Sequence, residues 1–442
     1  MMRSMYSAVS GLRVHQTKMD VIANNIANVN TVGFKSSRAT FAEVFSQTIS
    51  GASASNPITG RGGVNPRQIG LGATVASIDL LITQGAAQRT DNPFDIMISG
   101  DGFFIVGDSS GTYFTRAGAM NLDKAGNLVI TNGMHVRGWT AVDDPLNPGE
   151  QIIDKGAVSD IVIGPDKQYA QPTATKNVSF AGNLNYTEDT TIKRTMSFYD
   201  SIGTRYVVGC TFEFDDASGG WTYTLDDFAY PNGDTDNPID LTLSANSTGT
   251  ITFNEDALPT GPLIDPADPN SAGIVIDIAL PADKQPASTL GDNGRITIDF
   301  SDLTQFDNET STVKGEMLDG NGPGTLNGIA VGSDGKIVGR YSNGDTKILA
   351  QIAVARFQNA AGLQKMGNNL FVTTANSGDF DGIGEEVQAG GGEMQGGVLE
   401  MSNVDLSAEF TEMITTQRGF QANSRVITTS DDMLQELVNL KR

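Results

Sequence analysis

The sequence predicts a multidomain, mainly β protein. It has a discontinuous β-rich body, an outer β domain, and N- and C-terminal helices paired as an α-helical coiled-coil domain. Three observations carry this. First, Met5, Leu12, Met19 and Ile26 recur every seven residues within 1–29, with Met2, Val9 and Ala23 at a companion position where Gln16 is the one polar residue. Second, Leu406, Met413, Phe420, Ile427 and Leu434 recur in the same way near the other end. A helix with one narrow apolar stripe cannot bury it alone, so the termini meet each other or other copies of the chain. Third, glycine-punctuated β patterning fills the space between them, and its composition changes over roughly 146–305.

Taken in order, residues 1–29 form the first helix and 404–442 the last, with lengths of about 40 Å and about 55 Å. Residues 30–72 are rich in Gly, Ser, Asn and Pro and hold neither helical nor strand period. They are expected to be an extended linker, flexible or ordered against neighbouring subunits. Residues 73–145 and 306–403 are assigned to the body. Asp95 to Val106 reads as strand, a turn at Gly100-Asp101-Gly102, and strand, while Tyr113–Asn121 and Leu128–Thr131 flank a turn at 123–127. Later, Leu326–Val331, Lys336–Tyr341 and Lys347–Phe357 are joined by Ser333-Asp334-Gly335 and Ser342-Asn343-Gly344. Asp-Gly and Asn-Gly supply the positive φ of tight hairpins, so an antiparallel arrangement is expected. Residues 146–305 are richer in Asp, Asn, Thr and Pro but keep strand-like runs at Lys193–Tyr199, Arg205–Phe214, Trp221–Leu225, Gly249–Phe253, Ile274–Ile278 and Arg295–Phe300. They read as an inserted outer β domain with long polar loops.

The 442 residues carry 52 acidic and 29 basic side chains, a formal charge of −23. Such a chain is a poor partner for nucleic acid or an anionic membrane. No apolar run approaches the roughly 18–20 residues that span a bilayer, so no membrane insertion is expected. The first residues show neither an apolar core nor a small-residue cleavage site, and no cleaved signal peptide is expected. Cys210 is the one cysteine. Within the strand-like run Tyr206–Phe214 it reads as a buried small hydrophobe.

Residues with catalytic spacing are not found. His15 and His135 lack a second His or Cys at ligand spacing. Gly100-Asp101-Gly102 precedes two phenylalanines rather than a helix, and 390–397 lacks a phosphate-loop lysine. Asp379 to Glu385 looks superficially like a calcium loop, but Ile383 falls at its fifth position and Gly390 at its twelfth. The residues therefore point to a self-associating protein with no enzymatic site, no metal and no cofactor.

Ser10-Gly11-Leu12, followed by Asn24-Asn25-Ile26-Ala27-Asn28-Val29-Asn30-Thr31-Val32-Gly33-Phe34-Lys35, closely resembles the signature of bacterial flagellar axial proteins, the rod, hook and hook–filament junction subunits. At the other end Gly397 to Leu406, with Ser402, Asn403 and Asp405, and Gln417-Arg418-Gly419-Phe420 resemble its partner signature. In the interior, Gly100 to Phe104, Tyr113 to Gly118 and Gly362 to Phe371 are similar to the body domain of rod and hook members. Asn177 to Leu184 and Ser197 to Gly203 are similar to the outer domain of hook members. The resemblance implies a homopolymer of many copies, a curved, flexible, hollow tube that acts as a universal joint between rod and filament. The implied partners are the distal rod, hook cap and hook–filament junction proteins, and the implied route is flagellar type III export to the cell exterior. A rod or junction subunit is the near alternative. A secreted acidic adhesin is the distant one, and it would require Asp loops of fixed period that this chain lacks.

Two motif segments have direct physical readings. Ser402-x-x-Asp405 has capping-box spacing with Asp for the usual Glu, and is expected to start the last helix. Asn24, Asn25, Asn28 and Asn30 crowd the end of the first helix, where their amides can bond backbone groups.

Overall fold

A computed structural model describes residues 2–54, 62–143, 151–185, 187, 191–215, 219–233, 239–240, 248–254, 256–261, 274–277, 295–307 and 310–440. Two α-helices lie at its ends, α1 (Met2–Ala27) and α2 (Leu406–Asn439), with β-strands between them. Much of the expected polar loop region at 215–295 lies outside the described residues, as does Ile278.

The described residues of the 30–72 segment include strands and are not simply an extended linker. They belong to an arm of nested antiparallel strands: β1 (Ser37–Glu43), β2 (Ser46–Ser50), β3 (Arg67–Gly70) and β4 (Ala73–Leu80). β1 pairs with β4 and β2 with β3. The alternation in Ala73-Thr-Val-Ala-Ser-Ile-Asp-Leu80 gives β4 one half-buried face, and a strand signal this short is easily masked by the Gly-rich stretch beyond it.

The body is built on a mixed-length sheet in which Phe103–Asp108 lies between Gly111–Thr115 and His135–Asp143, and Thr346–Ile352, Lys336–Tyr341 and Gly324–Val331 continue outward. Successive side chains in a strand point to opposite faces. Phe104 and Val106 therefore enter one core with Ile98, Val136 and Ile352, while Phe103 and Ile105 enter a second with Phe114, Trp139 and Phe371. Burial on both faces accounts for the unbroken apolar run Phe103-Phe104-Ile105-Val106. The hairpin expected across Gly100–Gly102 does not form: Ile96–Ser99 pairs with Glu393–Gly396 instead.

The outer unit has two sheets. One holds Asn177–Asn183 beside Arg295–Asp299, parallel, and Lys314–Met317, antiparallel. The other runs through Ile192–Tyr199, Arg205–Asp215, Gly220–Pro231 and Thr248–Phe253. Between them Phe180 stacks on Phe300 and meets Phe212 edge-on, each at 5.5 Å. Cys210 is fully buried in the same core, and burial pushes its thiol well above the usual range.

Strand pairing shifts the limits expected for this unit. Gln151–Ile153, Ser159–Asp160 and Tyr169–Ala170 pair with body strands rather than outer ones, whereas Lys314–Met317 is an outer strand. The crossing points lie near 171–176 and 318–323, not 146 and 305. Composition changes where polar loops begin, and backbone pairing does not follow composition. At the crossing, Thr173 and Asn321 exchange two 3.0 Å backbone hydrogen bonds, so the entering and leaving chains lie side by side.

Candidate assembly site at the terminal helices

α1 and α2 run antiparallel. Gly11 faces Asn423 and Gly419 faces His15. Lys18 Nζ lies 3.0 Å from Glu412 Oε2, and Asn25 Nδ2 donates to Glu409 Oε1 at 2.8 Å. Along this seam Met5, Leu12, Met19 and Ile26 are half-buried, as are Met413, Phe420, Ile427 and Leu434. Leu406, the first helical residue, stays exposed.

The companion row differs from expectation. Met2, Val9 and Ala23 face outward. Their place is taken by Ala8, His15 and Ile22, and on α2 by Glu409, Thr416, Asn423 and Ser430, with Ala8, Ile22, Thr416 and Ser430 buried. Both rows lie within one turn of the apolar stripe. The row three residues on is the one that faces the partner helix, with Ala8, Thr416 and Ser430 small enough to be buried in the contact. A Cβ at Gly419 would lie 2.6 Å from His15 Cε1, so the helices touch where glycine allows.

His15 also meets Phe41 of β1 edge-on at 5.9 Å. Its Nδ1 is buried without a hydrogen-bond partner. Burial, with Lys18 adding to it, holds the imidazole below its ordinary pKa. Glu409 is pushed up by burial, against the pull of its bond from Asn25.

The motif residues gather where the helices enter the body. Asn25 is 1% exposed. It donates to Ser37 O and accepts from Ser37 N, at 2.9 and 3.0 Å, while holding Glu409. Asn403 mirrors it, accepting from Ser36 N at 2.8 Å and donating to Leu81 O at 2.8 Å. Between them lies a buried ion cluster: Lys35 Nζ is 2.6 Å from Glu400 Oε1, and Arg116 Nη1 is 3.5 Å from Glu400 Oε2. Gly85 N also donates to Glu400 at 2.9 Å, and Lys35 donates to Thr83 O at 2.7 Å. Burial lowers the pKa values of Lys35 and Arg116, and Glu400 opposes both shifts.

Gly33 adopts φ +68°, and a Cβ there would lie 2.5 Å from Ala117 N. Phe34 is buried beneath the Lys365 ammonium, 4.8 Å from the ring centroid. Asn28 donates to Asn24 O at 2.9 Å and closes the end of α1, while Asn24 and Asn30 are exposed. Asp405, not Ser402, caps α2, accepting from Ser407 N at 2.8 Å and Ala408 N at 3.4 Å. The Ser402 hydroxyl instead accepts from Val404 N at 3.3 Å, and this tight turn starts the helix three residues later. Gln417 and Arg418 lie exposed on α2, away from the seam.

Sequence patterning alone overlooked Lys35, Arg116 and Glu400 as a group, since they are far apart in the chain. It also overlooked the row at 409, 416, 423 and 430, whose seven-residue spacing was legible but whose residues are polar or small.

Four family models match in chain order: flagella basal body rod protein (5–35), flagellar hook protein FlgE/F/G D1 domain (97–169), flagellar basal body protein FlaE D2 domain (166–321) and flagellar basal body rod FlgEFG protein C-terminal (395–440). A flagellar hook protein of Borreliella burgdorferi is 42% identical over 468 residues, covering 100% of both chains. The chain belongs to the flagellar hook protein family. A hook protein of Treponema pallidum is 37% identical, again over 100% of both chains. A Bacillus subtilis relative named as the basal-body rod protein FlgG is 31% identical over 100% of both, so rod and hook members of this family share an end-to-end plan. In this hook-family chain the first and last matched segments hold the motif residues Asn25 and Asn403, which bond at the root of the helices. The D2 match ends at 321, at the Thr173–Asn321 crossing rather than at 305.

Proposed function

We propose that this chain is the structural subunit of the flagellar hook, polymerising through its terminal helices into a curved, flexible, hollow tube that carries torque from rod to filament. The observation that carries this reading is the helix pair. Its seam closes within the chain, yet Phe410, Ile414, Met433, Leu437, Val438 and Leu440 of α2 remain exposed. Apolar surface of this extent on a helix that is already paired marks an interaction face. The inner helices would line the tube, with the half-buried rows at Met5, Leu12, Met19, Ile26, Met413, Phe420, Ile427 and Leu434 holding each pair together. The body would form the middle shell and the unit between 171 and 323 the outer one.

Distal rod, hook cap and hook–filament junction proteins are the partners expected at the tube's ends, with delivery by the flagellar type III apparatus. The role is structural rather than catalytic. Among relatives, identity is higher to the hook proteins at 42% and 37% than to the rod-named one at 31%, which favours hook over rod. Electron microscopy of cells lacking the gene tests the reading. Basal bodies with rods and no hooks are expected, and intact hooks would refute it.

A further inference from the structure

A cavity of about 460 Å³ opens beside α1, on the side away from α2. Tyr6, Val9 and Arg13 of α1 form one wall, and Val44, Ala73 and Val75 of the β1–β4 arm form the other. Tyr6, Val9 and Val44 are exposed. Arg13 is exposed and makes no ion pair among the described residues. The groove is thus mainly apolar, with the hydroxyls of Ser10, Thr17 and Thr74 in its lining and a cation at its edge.

One segment of the chain has the opposite character. By the register of Gly11 on Asn423, α2 passes the start of α1 near Asp432 and runs on with no partner helix among the described residues. This overhang carries exposed Met433, Leu437, Val438 and Leu440, together with exposed Asp431, Asp432 and Glu436. Met433, Leu437 and Leu440 follow helical spacing and form one face. In its own chain α2 packs on the opposite face of α1 from the groove, whose lining includes no α2 residue.

Resting on the reading of this chain as a polymer subunit, we infer that the groove between α1 and the arm receives the α2 overhang of a second copy. Leu437 and its neighbours fill the apolar walls, and the acidic side chains of the overhang meet Arg13. The overhang and the groove of each subunit are then a knob and a socket on different surfaces near one end of the helix pair. Such head-to-tail contact generates an open helical array rather than a closed dimer. The Phe410–Ile414 patch lies at the other end of α2 and takes no part in it.

The test is a disulfide between Val9→Cys and Leu437→Cys placed in one full-length chain. The native Cys210 is buried in the outer core and does not compete. Oxidised hooks from this strain should run as a ladder of dimers and higher multiples on non-reducing gels, and either single variant should not. Assembled hooks that stay monomeric on the gel overturn the proposal. If the double variant does not assemble, charge exchange decides. Arg13→Glu should reduce hook formation, and adding Asp432→Arg or Glu436→Arg should restore it; failure of both to restore assembly overturns the docking. If the unaltered chain forms no tube at all, the polymer reading itself falls, and microscopy distinguishes that result from a failure of docking alone.

Discussion

At Glu400 a single carboxylate faces the cations of Lys35 and Arg116 in a site closed to water, with Lys35 and Glu400 side chains 0% and 1% exposed. Removing one member of a buried charged group leaves the others uncompensated, which costs about 3–5 kcal/mol. Glu400→Gln strands two cations and is expected to destabilise the body by that amount, read as a lower urea midpoint. Lys35→Met should cost less, because Glu400 keeps Arg116 and the Gly85 amide; the reverse order would show that Lys35, not Glu400, is the centre of the cluster. His15 gives a pH dependence. Its folded pKa lies below its unfolded value of about 6.5, so the open state takes up a proton first as pH falls. The helix seam is therefore expected to weaken below about pH 6.5. Glu409, with a raised folded pKa, has the opposite sign: its contribution is present at low pH and lost as pH rises through that value. It partly offsets the loss as the carboxylate range is approached. Helical circular dichroism from about pH 8 to about pH 5, spanning the histidine range, checks this, and a His15→Gln variant should show a flatter profile.

At the scale of elements, the helix pair is held by half-buried residues, not by a deep core. Leu12→Asp or Ile427→Asp places a charge in the seam, and the penalty reaches several kcal/mol unless the new carboxylate finds water or a partner. Both should abolish polymer while leaving the β units folded, as measured by near-ultraviolet dichroism of the secreted monomer. The apolar stripe at Leu12 and Ile427 was plain in the sequence, because large apolar side chains repeating every seven residues line up on one side of a helix and on no other regular element. Its companion row was not, since Thr416, Asn423 and Ser430 look like surface residues until a close-packed partner is in view. Strands at Phe103 and Arg205 were legible from their apolar runs and alternation. The arm at 37–80 was not, as its strands are interrupted by Gly-rich chain and pair across a long stretch of sequence, from Ser37 to Leu80. The Lys35–Glu400 contact had no sequence signal at all: a lysine and a glutamate are ordinary surface residues until long-range packing closes over them.

Across the whole molecule, the outer unit enters and leaves the body through two chain segments joined by an antiparallel bridge. Hydrogen-bonded antiparallel partners lie about 5.5 Å apart at Cα, so Thr173 and Asn321 can be rejoined by a short linker. Excising 174–320 and bridging the cut with two glycines should leave a folded, secreted body that still builds tubes with altered bending. Loss of all folded protein would show that the excised part completes the body core. The same end-to-end plan bears on when the molecule can become itself. Lys35 and Glu400 are 365 residues apart in sequence, and Asn403 reaches back to Ser36 across a similar span. Contacts so distant along the chain form late, because the entropy of closing the loop is lost before they reward it. A chain threading through a narrow passage, whichever end leads, cannot tie this knot until almost all of it has emerged. The root of the helices is thus the last part of the subunit to close, and a chain that is not yet wholly free to fold lacks a finished assembly surface.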